Sequence, residues 1–289
     1  MGSVRWAFNF MTWKPTKTEW MLAAQCIQPE EKTRIGKFYY KKDAKSSMIG
    51  RCMLRKVITE TLEVPWDSFT LTRTEKEKPV LKDLSLSKSL CFNVAHQGDY
   101  TVLAAEMDMQ CGVDVMKVER PRAQSVPEYF RLMKRQFTTQ EWQTIKTPDS
   151  EYEQLQLFYR FWCLKESYIK AIGIGLGFDL TRIDFHMKTL SLDVGEAVSD
   201  TVLYLDGTLT SPPWVFQETR LDKNHFVAVG LKKTSQETSI HQALETPIKF
   251  LTFEELMQSA KPLMAEDLEY WLEFDKKEEM PNLQRKDDL

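Results

Sequence analysis

Residues 151–172 place the tightest constraint on how this chain can fold. Leu157, Phe158, Phe161, Trp162, Leu164, Tyr168 and Ile169 crowd into a run free of proline and glycine. The expected product is one long helix, from about Glu151 to Ile172, with most of its circumference buried. Glu166 and Lys170 interrupt the run at i and i+4, and so share one face. On a solvated helix that order of charges is an ordinary ion pair, worth about 0.2–0.5 kcal/mol. On a helix this apolar, the two charges should face something specific. Gly173, Gly175 and Gly177 end the helix and let the chain pass close to a ligand. Their spacing is not that of a dinucleotide-binding loop, and simple capping is enough to explain them.

A second segment, Cys111-Gly112-Val113-Asp114-Val115-Met116, reads as a strand with one carboxylate among apolar residues. Burying that carboxylate alone is expensive. Asp114 therefore needs a cation, a strong set of donors or exposure at a strand end, unless it simply caps a turn or pairs with an arginine. Magnesium suits it, because that ion takes one or two protein carboxylates and completes its shell with phosphate oxygens and water. Asp114 and Glu166, with Lys170 one turn beyond, could hold magnesium against a phosphorylated substrate. Further cations lie upstream. Arg73 and Lys78 flank a turn before Pro79. With Arg34 and His96 they could surround a multiply phosphorylated nucleotide, arginine giving two-pronged contacts and lysine a point charge. Asn93-Val94-Ala95-His96-Gln97-Gly98-Asp99 puts donors and acceptors at a hairpin tip, where His96 is as readily a structural histidine as a ligand.

Composition excludes several classes. A hydrophobic content of 42% with 28% charged residues belongs to a soluble globular chain, and no apolar run is long enough to span a membrane. The net charge of -3 is uneven: residues 265–289 hold nine acids against four bases, which leaves a mildly basic body. That suits an anionic ligand or an acidic partner but is too weak for duplex DNA, and no aromatic RNA-recognition signature is present, so nucleic acid is not expected. Arg55 and Lys56, with their basic neighbours, could help dock an acidic partner or simply form a solvated helix face. The five cysteines form no CxxC pair and sit in apolar runs, as buried free thiols of a reducing compartment would. With no secretory leader in view, the cytosol is the expected location. A monomer is the default expectation.

The elements fall into an α+β order. Val4–Phe10 reads as a strand, Thr18–Ile27 as a helix, and Pro29 opens a second helix toward Phe38. Asp43 is placed to cap a longer helix through Leu62. Strands follow at 68–73, 90–95, 100–106 and 110–116, with Gln97-Gly98-Asp99 as a turn. The order then restarts, with Thr138-Thr139-Gln140-Glu141 as a capping box before a short helix, the long helix, and strands to about Lys232. Faint internal similarity, such as His225-Phe226-Val227-Ala228-Val229 against Tyr100-Thr101-Val102-Leu103-Ala104, suggests a duplicated half. The expected division is residues 1–116, 117–232 and a linker with C-terminal extension over 233–289. Residues 233–250 lose periodicity; beyond them lies one amphipathic piece around Phe253, Leu256 and Met257, then an acidic, solvated and partly docked run.

Four motifs in this order carry a resemblance: Arg-x-x-x-x-Lys-Pro at 73–79, Asn-x-x-His at 93–96, Gly-Val-Asp at 112–114, and Trp-x-x-Lys-Glu-Ser-x-x-Lys-Ala at 162–171. Over residues 5 to about 232 the chain resembles the long 4′-phosphopantetheinyl transferases. The resemblance implies two similar α+β halves related by a pseudo-twofold, each with a small, mainly antiparallel sheet and a long helix, and coenzyme A bound between them. It implies transfer of the 4′-phosphopantetheine arm to a serine of an apo acyl or peptidyl carrier domain, with release of adenosine 3′,5′-bisphosphate. Fatty-acid synthase and aminoadipate-semialdehyde dehydrogenase type carrier domains are the implied clients. Asp114 and Glu166 would ligate Mg2+, and Lys170 would contact the pyrophosphate. Arg34, Arg73, Lys78 and His96 would hold the phosphates, with Asn93, Val94 and Ala95 on the base side. Many members carry a second acid where this chain has Met116, so Gln97 or water would complete the metal shell. That departure is also the one feature in favour of a catalytically silent coenzyme A or carrier-domain binding protein.

Overall fold

A computed structural model of the protein describes residues 2–82, 90–175, 177–211, 213–234 and 240–280. The N-terminal part opens with β1 (Val4–Asn9), α1 (Lys17–Gln25), α2 (Pro29–Gly36) and the long α3 (Lys41–Leu62). A small hairpin, β2 (Leu71–Arg73) and β3 (Pro79–Leu81), precedes β4 (Leu90–Gln97) and β5 (Tyr100–Met107). Next come β6 (Met109–Lys117), α4 (Val126–Leu132), α5 (Thr139–Ile145) and α6 (Glu151–Ile172). The second set of strands is β7 (Ile183–His186), β8 (Ala197–Val198), β9 (Val202–Leu205), β10 (Thr208–Leu209), β11 (Val215–Arg220) and β12 (His225–Lys233). The chain closes with α7 (Ile240–Glu245), β13 (Lys249–Phe250), α8 (Phe253–Met257) and α9 (Leu268–Asp275). The α+β class expected from the sequence is what the chain adopts.

Two four-stranded sheets dominate, in the orders β13-β1-β5-β4 and β6-β12-β11-β8. Each is antiparallel except where β13 joins β1 in parallel. Helix α3 packs on β4 and β5, and α6 packs on β6 and β12. The inward face of α3 carries Met48, Ile49, Cys52, Met53 and Val57; that of α6 carries Phe158, Phe161, Leu164 and Tyr168, all buried. The sheets meet where β4 runs beside β6, and side chains rather than a backbone ladder join them. Asn93 Oδ1 accepts from Val113 N at 2.9 Å, Gln97 Oε1 from Lys117 N at 2.6 Å, and Cys91 Sγ from Cys111 N at 3.2 Å. Three donors of an otherwise unpaired strand edge are satisfied this way, as buried backbone requires.

Several expectations need correction. Asp43 lies in the first turn of α3, and Tyr40 is the residue that precedes it at the cap position. Arg55 is 1% exposed and donates to the Trp66 and Phe69 carbonyls, and Lys56 is buried beside Glu60; neither lies on a docking face. The stretch read as linker holds α7 and β13. The acidic extension docks through α8 and α9: Trp20 stacks on Phe274 with ring centroids 3.6 Å apart, and Lys277 Nζ donates to Gly36 O and Phe38 O. Its last nine residues, 281–289, lie outside the described residues. All five cysteines are free, and all but the half-buried Cys91 are buried. No helix among the described residues is long and apolar enough to cross a membrane.

Candidate active site

The site begins with a dent in the second sheet. Gly112 and Gly230 are register partners on β6 and β12, and α6 drops onto them. A Cβ on Gly112 would lie 2.2 Å from Ser167 O and 2.3 Å from Ala171 N, so only glycine allows the helix to sit so low. Two residues along the same face of β6 stands Asp114, beneath Glu166 and Lys170. Cys163 Sγ donates to the Asp114 carbonyl at 3.2 Å and fixes the rotation of the helix. On its other side α6 is anchored by Lys165, buried against Glu141 at 2.7 Å and donating to Leu180 O and Ile183 O.

Lys170 Nζ donates to Asp114 Oδ1, so its ion pair runs between elements and not along the helix to Glu166. Asp114 Oδ2 is buried and has no hydrogen-bond partner, and Glu166 makes no hydrogen bond or ion pair among the described residues. Burial raises the Asp114 carboxyl above its ordinary range against the pull of Lys170. Burial also raises that of Glu166, and the neighbouring charge of Asp114 adds to it. Two carboxylates that repel each other, one with an oxygen left over, form a donor set that suits a hard divalent cation. Among the described residues no group of three or more His, Cys, Asp or Glu side chains comes together, so any such ion must draw on its substrate and water as well.

Beside this pair opens a cleft of about 500 Å³. Lys78, Asn93, Val94, Trp162, Glu166 and Lys170 are among its lining residues. Its volume and mixed lining are those of a small-molecule site. The turn of the β2–β3 hairpin reaches over it, where Lys76 Nζ donates to Ile174 O in the loop that begins at the left-handed Gly173. Lys78 has no carboxylate partner among the described residues.

The remaining expected residues lie farther along the seam. Arg34 and Arg73 converge on Glu31, with Arg34 Nε at 2.8 Å and Arg73 Nη2 at 2.6 Å. His96 is exposed on β4. Desolvation by the surrounding protein, then Lys170 and Arg51, hold its pKa below the ordinary histidine value. The ring therefore feels the charges of both Lys170 and the arginines. Ala95 is buried in the core, and Gln97 Oε1 is already taken by Lys117 N. Met116 packs against the apolar cluster of the second sheet. The sequence reading missed Glu31, Arg51, Lys76 and Trp162; only Trp162, inside the long-helix motif, carried a signal.

Two family models cover this architecture. Residues 11–108 match "4′-phosphopantetheinyl transferase, N-terminal", and residues 110–229 match "4′-phosphopantetheinyl transferase superfamily". The L-aminoadipate-semialdehyde dehydrogenase-phosphopantetheinyl transferase of Xenopus laevis is 47% identical over 99% of this chain and 96% of its own length. The human protein of that name is 47% identical over 97% of this chain and 94% of its own length. The chain belongs to the 4′-phosphopantetheinyl transferase superfamily. A phosphopantetheinyl transferase of Thraustochytrium sp. is more distant, 34% identical over 78% of this chain and 77% of its own. This transferase is therefore an enzyme. The two matched regions meet in the β5–β6 turn, directly before the strand that carries Asp114.

Proposed function

We propose that this transferase moves the 4′-phosphopantetheine arm of coenzyme A onto a serine hydroxyl of an apo carrier domain, at the crossing of β6 and α6. The observation that carries the reading is the convergence of Asp114, Glu166 and Lys170 at one end of an open cleft. Asp114 Oδ2 and Glu166 are the groups fitted to hold a magnesium ion, with water in place of the acid that Met116 replaces. When bound, that ion supplies charge neutralisation at the pyrophosphate.

The protein's own groups do the rest. Phosphoryl transfer asks mainly for positioning and for stabilisation of charge. The serine oxygen attacks the β-phosphorus, the bond from that phosphorus to the bridging oxygen breaks, and adenosine 3′,5′-bisphosphate leaves. Glu166, with no competing donor, takes the serine proton. Lys170, held by Asp114 and partly exposed to the cleft, neutralises the leaving oxygen. Trp162, Val94 and the glycine loop line the space beside the arm. Carrier domains of the fatty-acid synthase and aminoadipate-semialdehyde dehydrogenase kinds are the clients we expect. The five free thiols fit a reducing compartment such as the cytosol, where we expect a monomer.

The test is to mix the protein with magnesium, coenzyme A and an apo acyl carrier protein, and to follow the carrier by intact mass. The carrier should gain the phosphopantetheine arm. A carrier of unchanged mass at saturating coenzyme A and magnesium would overturn the proposal.

A further inference from the structure

Cys91 and Cys111 meet across the seam between β4 and β6. That seam is closed by β4 side chains that accept from β6 backbone donors twenty residues further along the chain. At Asn93 and Gln97 the acceptor is an amide oxygen; at Cys91 it is sulfur, which takes the Cys111 N–H at 3.2 Å. Cys111 Sγ donates back to Cys91 O at 3.3 Å, and Cys91 Sγ lies 3.5 Å from Cys111 O. Each sulfur thus rests on the other residue's backbone, and the two thiols are within hydrogen-bond reach of each other.

A neutral thiol is a weak hydrogen-bond acceptor, and a thiolate is a strong one. Donation from the Cys111 thiol therefore favours the charged form of Cys91. Lys78 and the Cys111 N–H add to it against burial and Glu106, and the Cys91 thiol is held below its ordinary value. Cys111 is the complement: its thiol is pushed up, first by Cys91 and then by burial, and keeps its proton. Cys91 is also half-buried, whereas the other four cysteines are buried. Burial pushes the thiols of Cys26, Cys52 and Cys163 up, that of Cys26 to about 11. Thiolate character, partial exposure and a second thiol at hand distinguish a redox-active cysteine from a structural one.

We propose that Cys91 and Cys111 form an oxidation site, at which a hydroperoxide converts the two thiols into a reversible disulfide between β4 and β6. Cys91 sulfur attacks the terminal oxygen of the hydroperoxide and the O–O bond breaks. The other oxygen leaves with the Cys91 proton, as water or an alcohol, and Cys91 becomes a sulfenic acid. Cys111 sulfur then attacks Cys91 sulfur, the S–O bond breaks, and the hydroxide leaves with the Cys111 proton as water. One hydroperoxide is reduced by two electrons, and two thiols are oxidised to one disulfide. Disulfides of reducing compartments are usually transient, which matches a bond that cellular thiols reopen. The link ties the strand whose Asn93 lines the cleft to the strand that carries Asp114. Coenzyme A takes no part in the step.

The experiment exposes the reduced full chain to a small excess of hydrogen peroxide, denatures it in iodoacetamide to block the remaining thiols, and maps the digest by mass without reductant. A peptide pair joined through Cys91 and Cys111 should appear, two hydrogens lighter than the two free peptides together, and should separate on adding dithiothreitol. Cys26, Cys52 and Cys163 should be recovered alkylated. In Cys111→Ser, Cys91 should stop at the sulfenic acid and be captured by dimedone; Cys91→Ser should show neither a link nor a dimedone adduct on Cys111. Oxidation of the unaltered protein that spares Cys91, or that joins it to another cysteine or another chain, overturns the proposal. So does oxidation of Cys91 with Cys111 recovered free, or a folded Cys111→Ser protein whose Cys91 captures no dimedone. The map of the unaltered protein decides even where a serine variant does not fold.

Discussion

Gly112 and Gly230 face each other across β6 and β12, and the backbone of α6 at Ser167 and Ala171 lies in the space a side chain would fill. This contact sets the height of the helix over the strand, and with it the reach from Lys170 to Asp114. Gly112→Ala would put a methyl group 2.2 Å from a backbone oxygen that cannot swing aside. Overpacking of this kind typically costs about 1–3 kcal/mol. We expect a lower melting temperature and, at temperatures where the variant is folded, a fall in kcat as the Asp114–Lys170 pair opens. A variant with unchanged melting and turnover would show that the helix is not seated by this glycine.

Asp114 and Glu166 separate function from stability. Each carboxylate repels the other in a largely desolvated setting, so neither Asp114→Asn nor Glu166→Gln should melt much below the unaltered protein when magnesium is absent. Added magnesium should raise the melting temperature of the unaltered protein, because a ligand bound only to the folded state stabilises it. That rise should vanish in both variants. Turnover of Glu166→Gln should drop by about 10²–10⁴-fold, the usual worth of general-base help. Magnesium-dependent thermal shifts that persist in both variants would remove the metal from this pair.

The arginine cluster gives a pH dependence with a defined sign. Burial pushes the Glu31 carboxyl up, but Arg51, Arg34 and Arg73 outweigh it, and the net shift is below the ordinary 4.5. A carboxyl lowered in the folded state stabilises fully above its unfolded value and loses that contribution as pH falls through the folded value. The stability gap between the unaltered protein and Glu31→Gln, read from denaturant titrations, should be constant near neutrality and shrink below 4.5. A gap that widens on acidification would contradict the assignment.

The seam between the sheets rests on Asn93, whose oxygen satisfies Val113 N and which also lines the cleft. Asn93→Ala leaves that buried donor without a partner, a loss of about 1–3 kcal/mol. We expect destabilisation in that range and weaker coenzyme A binding. Asn93→Asp, which keeps an acceptor at the same place, should recover most of the stability. Equal behaviour of the two variants would deny the role of the acceptor.

What the sequence made legible was local. The helix over Glu151–Ile172 was readable because its apolar residues repeat within a few turns, and Asp114 because one charge stood out in a strand. Asn93, Gln97 and Cys91 bond to backbone groups twenty residues away, and no periodicity announces a side chain that replaces a ladder. Arg55 and Lys56 looked like a solvated basic face because helix periodicity does not reveal that the Trp66 and Phe69 carbonyls and the Glu60 carboxylate cover them. The extension looked solvated because its acids dominate the composition, whereas its docking depends on a few aromatic rings.

Those rings lead to the last prediction. Trp20 is 1% exposed and stacks on both Phe274 and Tyr270 of α9, while Tyr270 Oη donates to Lys32 O. Just beyond α9, Lys277 binds the Gly36 and Phe38 carbonyls, where α2 ends and its dipole is negative. Arg34 stands in that final turn, so α9 and Lys277 brace the backbone from which one guanidinium reaches Glu31. Phe274→Ala should cost about 3–5 kcal/mol, a large share of the stability of a typical domain. At a temperature where it stays folded, its KM for coenzyme A should rise more than its kcat falls, because the loosened group binds and does not react. Lys277→Ala should show a smaller change of the same kind. If Phe274→Ala melts like the unaltered protein, the extension is not docked as described, and its influence on Arg34 has no structural route.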